Sequence, residues 1–548
     1  MKKRELQIIS LSSLAKVFPM QIWGQRTTRF SAVRGQELSF QIAFRRGESG
    51  FFREEYSIII QSPLKNLIKG YLVKNVPSIL ATNPLHHDQN YLTTQSGIFP
   101  DPLVPWKDGK VLALGEIWNA LWFSIRIPTD YVSGEYSFEI QFLNSNGTCV
   151  ASKQIEIVIT QAVLPKQRLL YTDWFHCDCI AAVHNVKIFS EEHWRLIGEY
   201  MKTAADHGMN MILTPILTPP LDTAVGKYRP TVQLVEIEKS NEGYRFDFSR
   251  LERFIKLALR HGICTFEINH FFTQWGAAFA AKTIARVNGR KKRIFGWDTP
   301  ADSTEYSSFL SVLIPATIAV LKSMGISQDH IYFHVSDEPN IKHFDSYQSA
   351  RDRLIPLIGN CKHMDALSER SYYDRKLVEI PVVSNNHIEP WIGNTEHLWC
   401  YYCCEQTVDV SNRLLSMPSA RTRIIGVQLY KYGIEGFLHW GYNFYYTALS
   451  KRLIDPWAET DAGQAFPSGD SFCVYPYGNT VIPSIRLKVF AEALQDIRML
   501  YLLEEKIGRN NVISMIDQVA QMNLTFSQYP TDDCFFDRLY DSIFEHIN

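Results

Sequence analysis

The sequence predicts an N-terminal β-sandwich followed by a (β/α)8 barrel of the TIM type, with helices at the C-terminal end. Three observations carry that reading. Up to about residue 160 the chain alternates apolar and polar side chains with period two and shows no long helical stripe. From residue 168 onward, amphipathic helical stretches that end on glycine are each followed by a short apolar strand. Eight such strands fall within about 330 residues, the number that closes a parallel barrel.

In the first region ELSFQIAF (37–44), YSIIIQ (56–61), LWFSIRIP (121–128), GEYSFEIQF (134–142) and IEIVIT (155–160) read as strands, and NSNGT (144–148) as a hairpin turn. The stretch 80–115 holds Pro84, Pro100, Pro102 and Pro105 and reads as a long loop. It brings His86, His87 and Trp106 to the pocket if it reaches that far. AVLPKQ (162–167) links this sandwich, 1–165, to the barrel, 168–506; a helical extension, 507–548, follows.

The barrel strands are read from LLYTDWFHCD (169–178), MNMILTPIL (209–217), ICTFEINHFF (263–272), IYFHVSDEP (331–339), KHMDALS (362–368), IPVVSNNH (380–387), HLWCYYCC (397–404) and GIEGFLHWGYN (433–443). Between them, 190–208 places Trp194, Ile197, Met201 and Ala205 on one helical face and closes on Gly208. Residues 248–262 repeat the plan, with Ser249 and Glu252 as a capping box. A third helix is expected over 312–325. In 484–508, Leu487, Phe490, Leu494, Ile497 and Tyr501 form an apolar stripe, and two more helices are expected at 511–523 and 532–546.

Composition excludes several classes. The 56 basic and 57 acidic residues leave a net charge of −1, so there is no basic field for nucleic acid. The N-terminus opens basic, but Glu5, Gln7 and three serines interrupt any signal-like apolar run, and no apolar run of membrane-spanning length is read. The expectation is a soluble, cytoplasmic protein with no membrane partner. Ten cysteines lack framework spacing and read as reduced thiols. Cys177 and Cys179, and Cys400, Cys403 and Cys404, could supply soft metal ligands. Both clusters sit in strand-like aromatic runs without a paired CxxC, so they read as free thiols. No metal or cofactor is implied. Twelve Trp and 26 Tyr suit a protein that stacks sugar faces on rings.

In such a barrel the active site lies at the C-terminal ends of the strands. The fourth strand ends in Asp337–Glu338, two adjacent acids stopped by Pro339. A proline favours extended geometry in the residue before it, so Glu338 is expected at the last extended position. Mutual repulsion is expected to raise one pKa and leave the other acid ionised. The remaining strand ends offer His176 and Asp178, Asp222, then Glu267, His270, Gln274 and Trp275, then Asp365, Asn385, Asn386, His387, Tyr401, Glu405, His439, Trp440 and Asn443. Acids, amides, imidazoles and tryptophans together make a sugar pocket.

Conventional glycosidases flank the scissile bond with carboxyls about 5–5.5 Å apart (retaining) or about 6.5–9.5 Å apart (inverting). Adjacent residues approach from one side. That favours substrate assistance, in which the sugar's own 2-acetamido oxygen attacks, Glu338 donates the proton and Asp337 orients the acetamido group. Two alternatives stay open: a two-carboxylate retaining enzyme with Glu338 as acid/base and Glu405 as nucleophile, and a non-catalytic carbohydrate-binding protein.

The runs HVSDEP, GFLHWGYN and GDSFCVYP (469–476), with the helix SIRLKVFAEALQDIRMLYLL, resemble glycoside hydrolase family 123 and its relatives over roughly residues 168–506. The resemblance implies a retaining β-N-acetylgalactosaminidase that uses substrate assistance, with the family's acid pair on Asp337 and Glu338 and its strand-eight tryptophan on Trp440. It implies an oligosaccharide or glycoconjugate substrate bearing a 2-acetamido sugar. Characterised members tend to be exported; without an export signal here, imported oligosaccharides are the favoured substrates. His176, Asp178, His270, Trp275, Asn386, Tyr401 and Asn443 are substrate-binding candidates from strand-end position.

Overall fold

The computed structural model describes residues 6–47, 52–274 and 276–547. Two five-stranded sheets form the N-terminal sandwich. One runs in the order Leu6–Ser12, Glu37–Arg46, Asn119–Arg126, Ile68–Ser78, Gly97–Pro105. The other runs Arg29–Arg34, Cys149–Val163, Gly134–Leu143, Arg53–Gln61, Lys110–Leu114. Pairing is antiparallel except between Arg29–Arg34 and Cys149–Val163. Inward-facing residues meet in an aromatic core, with Phe40 at 5.5 Å from Phe123 and 5.1 Å from Phe138.

The stretch expected as one long loop contains two of these strands, Gly97–Pro105 and Lys110–Leu114. Three of its prolines lie on Gly97–Pro105, the edge strand of its sheet, where a missing N–H breaks no ladder. The barrel covers that edge: Pro102 bridges to Ser484, and buried Asp101 accepts from Arg486 at 2.9 and 3.1 Å. Residues 79–96 form a strap over the barrel loops. Asp88 pairs with Arg421 at 2.6 Å, and the Tyr91 hydroxyl donates to the Thr407 carbonyl.

The eight expected barrel strands all form: Leu170–Asp173, Met211–Thr214, Thr265–Ile268, Ile331–Phe333, Lys362–Leu367, Ile380–Ser384, Trp399–Tyr401 and Gly436–His439. Each is parallel to the next from the second to the eighth, and the eighth pairs with the first. The first and second strands share no ladder. Asn210 stitches them instead: its side chain accepts from Tyr171 N–H and donates to Leu169 C=O, and its own N–H donates to Tyr171 C=O. Met211, Leu213, Tyr332, Met364, Trp399 and Leu438 fill the interior. Gly436 is required there, because a Cβ would lie 2.1 Å from the Trp399 indole.

A small four-stranded sheet, Glu236–Ser240, Gly243–Asp247, Thr283–Val287 and Arg290–Phe295, was not foreseen. Its strands are five or six residues long and Arg290 to Arg293 are exposed; the one clear alternation, Tyr244 and Phe246 in Gly243–Asp247, is too short to mark a sheet. The capping box expected at Ser249 is replaced by Asp247, whose carboxylate accepts from Ser249 N–H, and Ser249 opens the helix Ser249–Arg260. The helix Thr304–Ser323 is long and apolar enough to cross a membrane by length and composition, contrary to the sequence reading. It is a barrel crossover helix that buries Phe309, Leu310, Leu313 and Ile314. The chain ends in helices Ile485–Ile507, Arg509–Ala520 and Cys534–Ile547.

Candidate active site

A cavity of about 240 Å³ opens at the C-terminal ends of the barrel strands. Asp337 and Glu338 both line it. In an extended strand consecutive side chains point to opposite faces, so two neighbours would not share one wall. The chain solves this after the strand ends at Phe333. Glu338 is not extended as expected but sits at φ 44°, in the left-handed region that non-glycine residues rarely adopt. That local strain turns both carboxyls into one cavity, as strained backbone often does at working sites.

Burial pushes both carboxyls above the usual range, and for Asp337 the neighbouring Glu338 pushes further. The expected split, one raised and one ordinary, gives way to a pair that is raised together. The Tyr401 hydroxyl donates to Glu338 Oε1 at 2.5 Å and favours the ionised form of that acid. Behind Asp337 lies a buried ionic row. The His334 ring touches Glu267 at 2.7 Å and Asp365 at 3.3 Å. Although burial opposes it, these two carboxylates hold His334 charged up to about 10. Despite its own burial, Asp365 is held well below the carboxylate range by His334 and His363. His334 also counteracts the upward shift of Asp337.

Trp440 and Trp174 supply flat walls, as sugar binding needs. The Trp440 indole N–H donates to Asp470 at 2.9 Å, and the Trp174 indole N–H donates to Glu267 at 2.6 Å. Burial pushes Asp470 up to about 7. Phe444 and Phe466 flank Trp440, at 5.0 and 5.3 Å between ring centres. Asp222 also lines the cavity; its carboxylate accepts from Leu449 N–H and its N–H donates to Gln274.

Of the other expected residues, His176 and Tyr401 line the cavity. The His176 ring is already engaged, between the Trp440 carbonyl at 3.0 Å and Arg229 at 3.2 Å. Burial, with Arg229 beside it, lowers its pKa to about 3, so it is neutral. Asp178, Asn443, His270 and Asn386 do not line the wall. Asp178 is buried and chelates Arg229 through two bonds of 2.7 and 2.9 Å. Asn443 clamps the backbone of His176 in both directions. His270 stacks on His334 at 4.3 Å, and Asn386 is exposed and accepts from Gln406. Glu405 is exposed and off the wall. Trp275 lies outside the described residues. His86, His87 and Trp106 do not reach the cavity.

Sequence reasoning missed Arg229, Asp470, Phe444 and Phe466. Asp470 sits inside the quoted run GDSFCVYP, so a signal existed. Arg229 lies in the long loop after the second strand, where no strand end marks it.

His270, His334 and Asp365 bring three metal-type ligand atoms within 4.8 Å of one another. Both His334 nitrogens are already committed to carboxylates, so the cluster is an ion-pair row rather than an open ligand set.

Residues 174–503, more than half of the chain, match the glycoside hydrolase 123 catalytic domain. No curated protein sequence matches the chain. Among solved structures, a family 123 glycoside hydrolase from Clostridium perfringens, studied for glycolipid glycan hydrolysis, superposes with a TM-score of 0.75 at 15% identity, covering 98% of this chain and 97% of that one. A Parabacteroides merdae β-glucuronidase is far less similar, with a TM-score of 0.31 at 11% identity over 89% of this chain and 53% of the other. The sandwich and barrel arrangement is thus shared along nearly the whole chain with a family 123 enzyme. The protein belongs to glycoside hydrolase family 123 and is a glycosidase, with its acid pair at the mouth of the barrel.

Proposed function

We propose that the protein is an exo-acting, retaining β-N-acetylhexosaminidase, with N-acetylgalactosamine as its sugar, working through the substrate's 2-acetamido group. The observation that carries this is the entry of two consecutive carboxyls into one small cavity from the same strand end. About 240 Å³ is below the roughly 300–1,000 Å³ of drug-sized pockets and suits a single sugar ring, hence exo action. Glu338, raised by burial, holds the proton for the leaving oxygen and then takes one from water. Asp337 accepts from the acetamido N–H and stabilises the cyclic cation that forms when the acetamido oxygen attacks. Tyr401 keeps Glu338 oriented and lowers the cost of its ionised state after proton transfer. Trp440 and Trp174 offer stacking faces. The Clostridium perfringens relative is described as acting on glycolipid glycans, which supports a glycoconjugate or its released oligosaccharide as the substrate class.

The test is release of 4-nitrophenol from its 2-acetamido-2-deoxy-β-galactoside, beside the plain β-galactoside. Hydrolysis of the acetamido sugar alone is expected, with Glu338→Gln lowering kcat by about 10²–10⁴. Hydrolysis of the plain galactoside would overturn substrate assistance.

A further inference from the structure

The turn after the seventh barrel strand places two adjacent cysteines on the cavity wall. Cys403 and Cys404 both line the cavity that holds the acid pair, and both are partly exposed. The two are consecutive in the chain, so both thiols open from one turn onto the same cavity. The turn is fixed from behind. Cys403 N–H donates to the Gln406 side chain at 2.8 Å, and its carbonyl accepts from Asn412 at 2.8 Å. Gln406 and Asn412 are buried. The strap reinforces the same turn, since Thr407 bonds to the His86 carbonyl and to the Tyr91 hydroxyl.

Two consecutive thiols on a turn whose backbone is held by Gln406 and Asn412 present one side of a chelate to the cavity. Soft, thiophilic centres take such ligands. We propose that Cys403 and Cys404 form a dithiol site for trivalent arsenicals on the wall of the active-site cavity, and that its occupation excludes the sugar. The exclusion rests on the cavity being the sugar site; the binding does not. For an organic arsenoxide, the two S–H bonds and the arsenic–oxygen bonds break, and two arsenic–sulfur bonds form. The two protons leave with the oxygen as water, and nothing is oxidised or reduced.

The site also has a selectivity. The neighbouring Cys404, together with burial, pushes the Cys403 thiol well above its ordinary range. Cys403 beside it pulls Cys404 down, but burial carries that thiol up overall. Reagents that need a free thiolate therefore react slowly here, whereas a centre that captures both sulfurs gains from chelation.

The experiment titrates the full chain with phenylarsine oxide and reads the intact mass. One adduct, with loss of one water, is expected at this pair. It should reverse with 2,3-dimercaptopropanol and resist an equimolar monothiol. Cys403→Ser and Cys404→Ser should each weaken binding by about 100-fold or more, because a single thiol loses the effective concentration of its neighbour. Adding N-acetylgalactosamine to the native protein should slow adduct formation. No adduct on the native protein, or an equally tight adduct in both serine variants, would overturn the site. An adduct at the pair that the free sugar does not slow, and that leaves glycosidase activity intact, would overturn the exclusion alone. No activity toward acetamido sugars in the untreated protein, with the adduct forming as expected, would overturn the functional reading and leave the dithiol site standing.

Discussion

Two sides of the cavity are built from similar residue types and differ in where their hydrogen bonds go. On the side of the first and eighth barrel strands, Asp178 is chelated by Arg229, the His176 ring is held between Arg229 and Trp440, and Asn443 clamps the His176 backbone. On the side of the fourth and seventh strands, Asp337 and Glu338 face the cavity with raised pKa values, and Tyr401 supports Glu338 through one bond. The first side spends its polarity on itself and offers a ligand only the ring faces of Trp174 and Trp440. The second keeps capacity for a ligand. Residue type alone does not separate the two; bonding partners do.

The comparison is sharpest where a substitution should hit stability on one side and rate on the other. Asp178→Ala leaves the Arg229 charge buried without its partner, which costs about 3–5 kcal/mol. A large fall in Tm is expected, checked by thermal unfolding. Glu338→Gln should instead keep Tm close to that of the native protein while activity collapses. A stable but inactive Asp178→Ala would break the distinction.

The ionic row behind the acids should be visible in pH dependence. His334 is held charged up to about 10, above the roughly 6.5 of a free imidazole. Its contribution is complete below about 6.5 and is lost as pH rises towards 10. Tm of the native protein should therefore decline over that window, and His334→Gln should flatten the decline while lowering Tm below it. An unchanged slope would show that the row carries no charge-dependent stability.

Tyr401→Phe removes a donor that favours ionised Glu338. The acid then holds its proton more tightly, and the alkaline limb of kcat/KM should move up by about one pH unit. A limb that stays in place would remove Tyr401 from the support of Glu338. The smallest effect is expected at exposed Asn386. Asn386→Ala should change the free energy of unfolding by no more than about 0.5 kcal/mol and leave kcat/KM unaltered.

The barrel was legible because its strands are short apolar runs, three of them entered from helical stretches that end on glycine, and all eight formed where the pattern put them. The strand Gly97–Pro105 was hidden by its own prolines, which signal loop until the sheet order shows an edge. The four-stranded insertion was hidden because Arg290, Lys291, Lys292 and Arg293 offer no apolar face. At the site, the acid pair announced itself through adjacency and position. The turn at Glu338 did not, because a positive φ before proline runs against the local rule and is imposed by the surrounding fold. Strand-end position correctly brought His176 and Tyr401 to the wall. It could not reveal that Asp178 and Asn443 are consumed by partners far away in sequence.

The buried pair between Asp101 and Arg486 has a consequence for biosynthesis. The two residues are 385 positions apart, so the ribosome finishes the sandwich long before it makes the arginine. At about 5–20 residues per second the delay is roughly 20–80 s. Until then Asp101 has no guanidinium to accompany it out of water, and the edge strand that carries it stays hydrated. The first domain to emerge is thus left with an open margin that only the last long helix can seal, and a chain truncated before residue 486 should leave the ribosome with that margin exposed to chaperones.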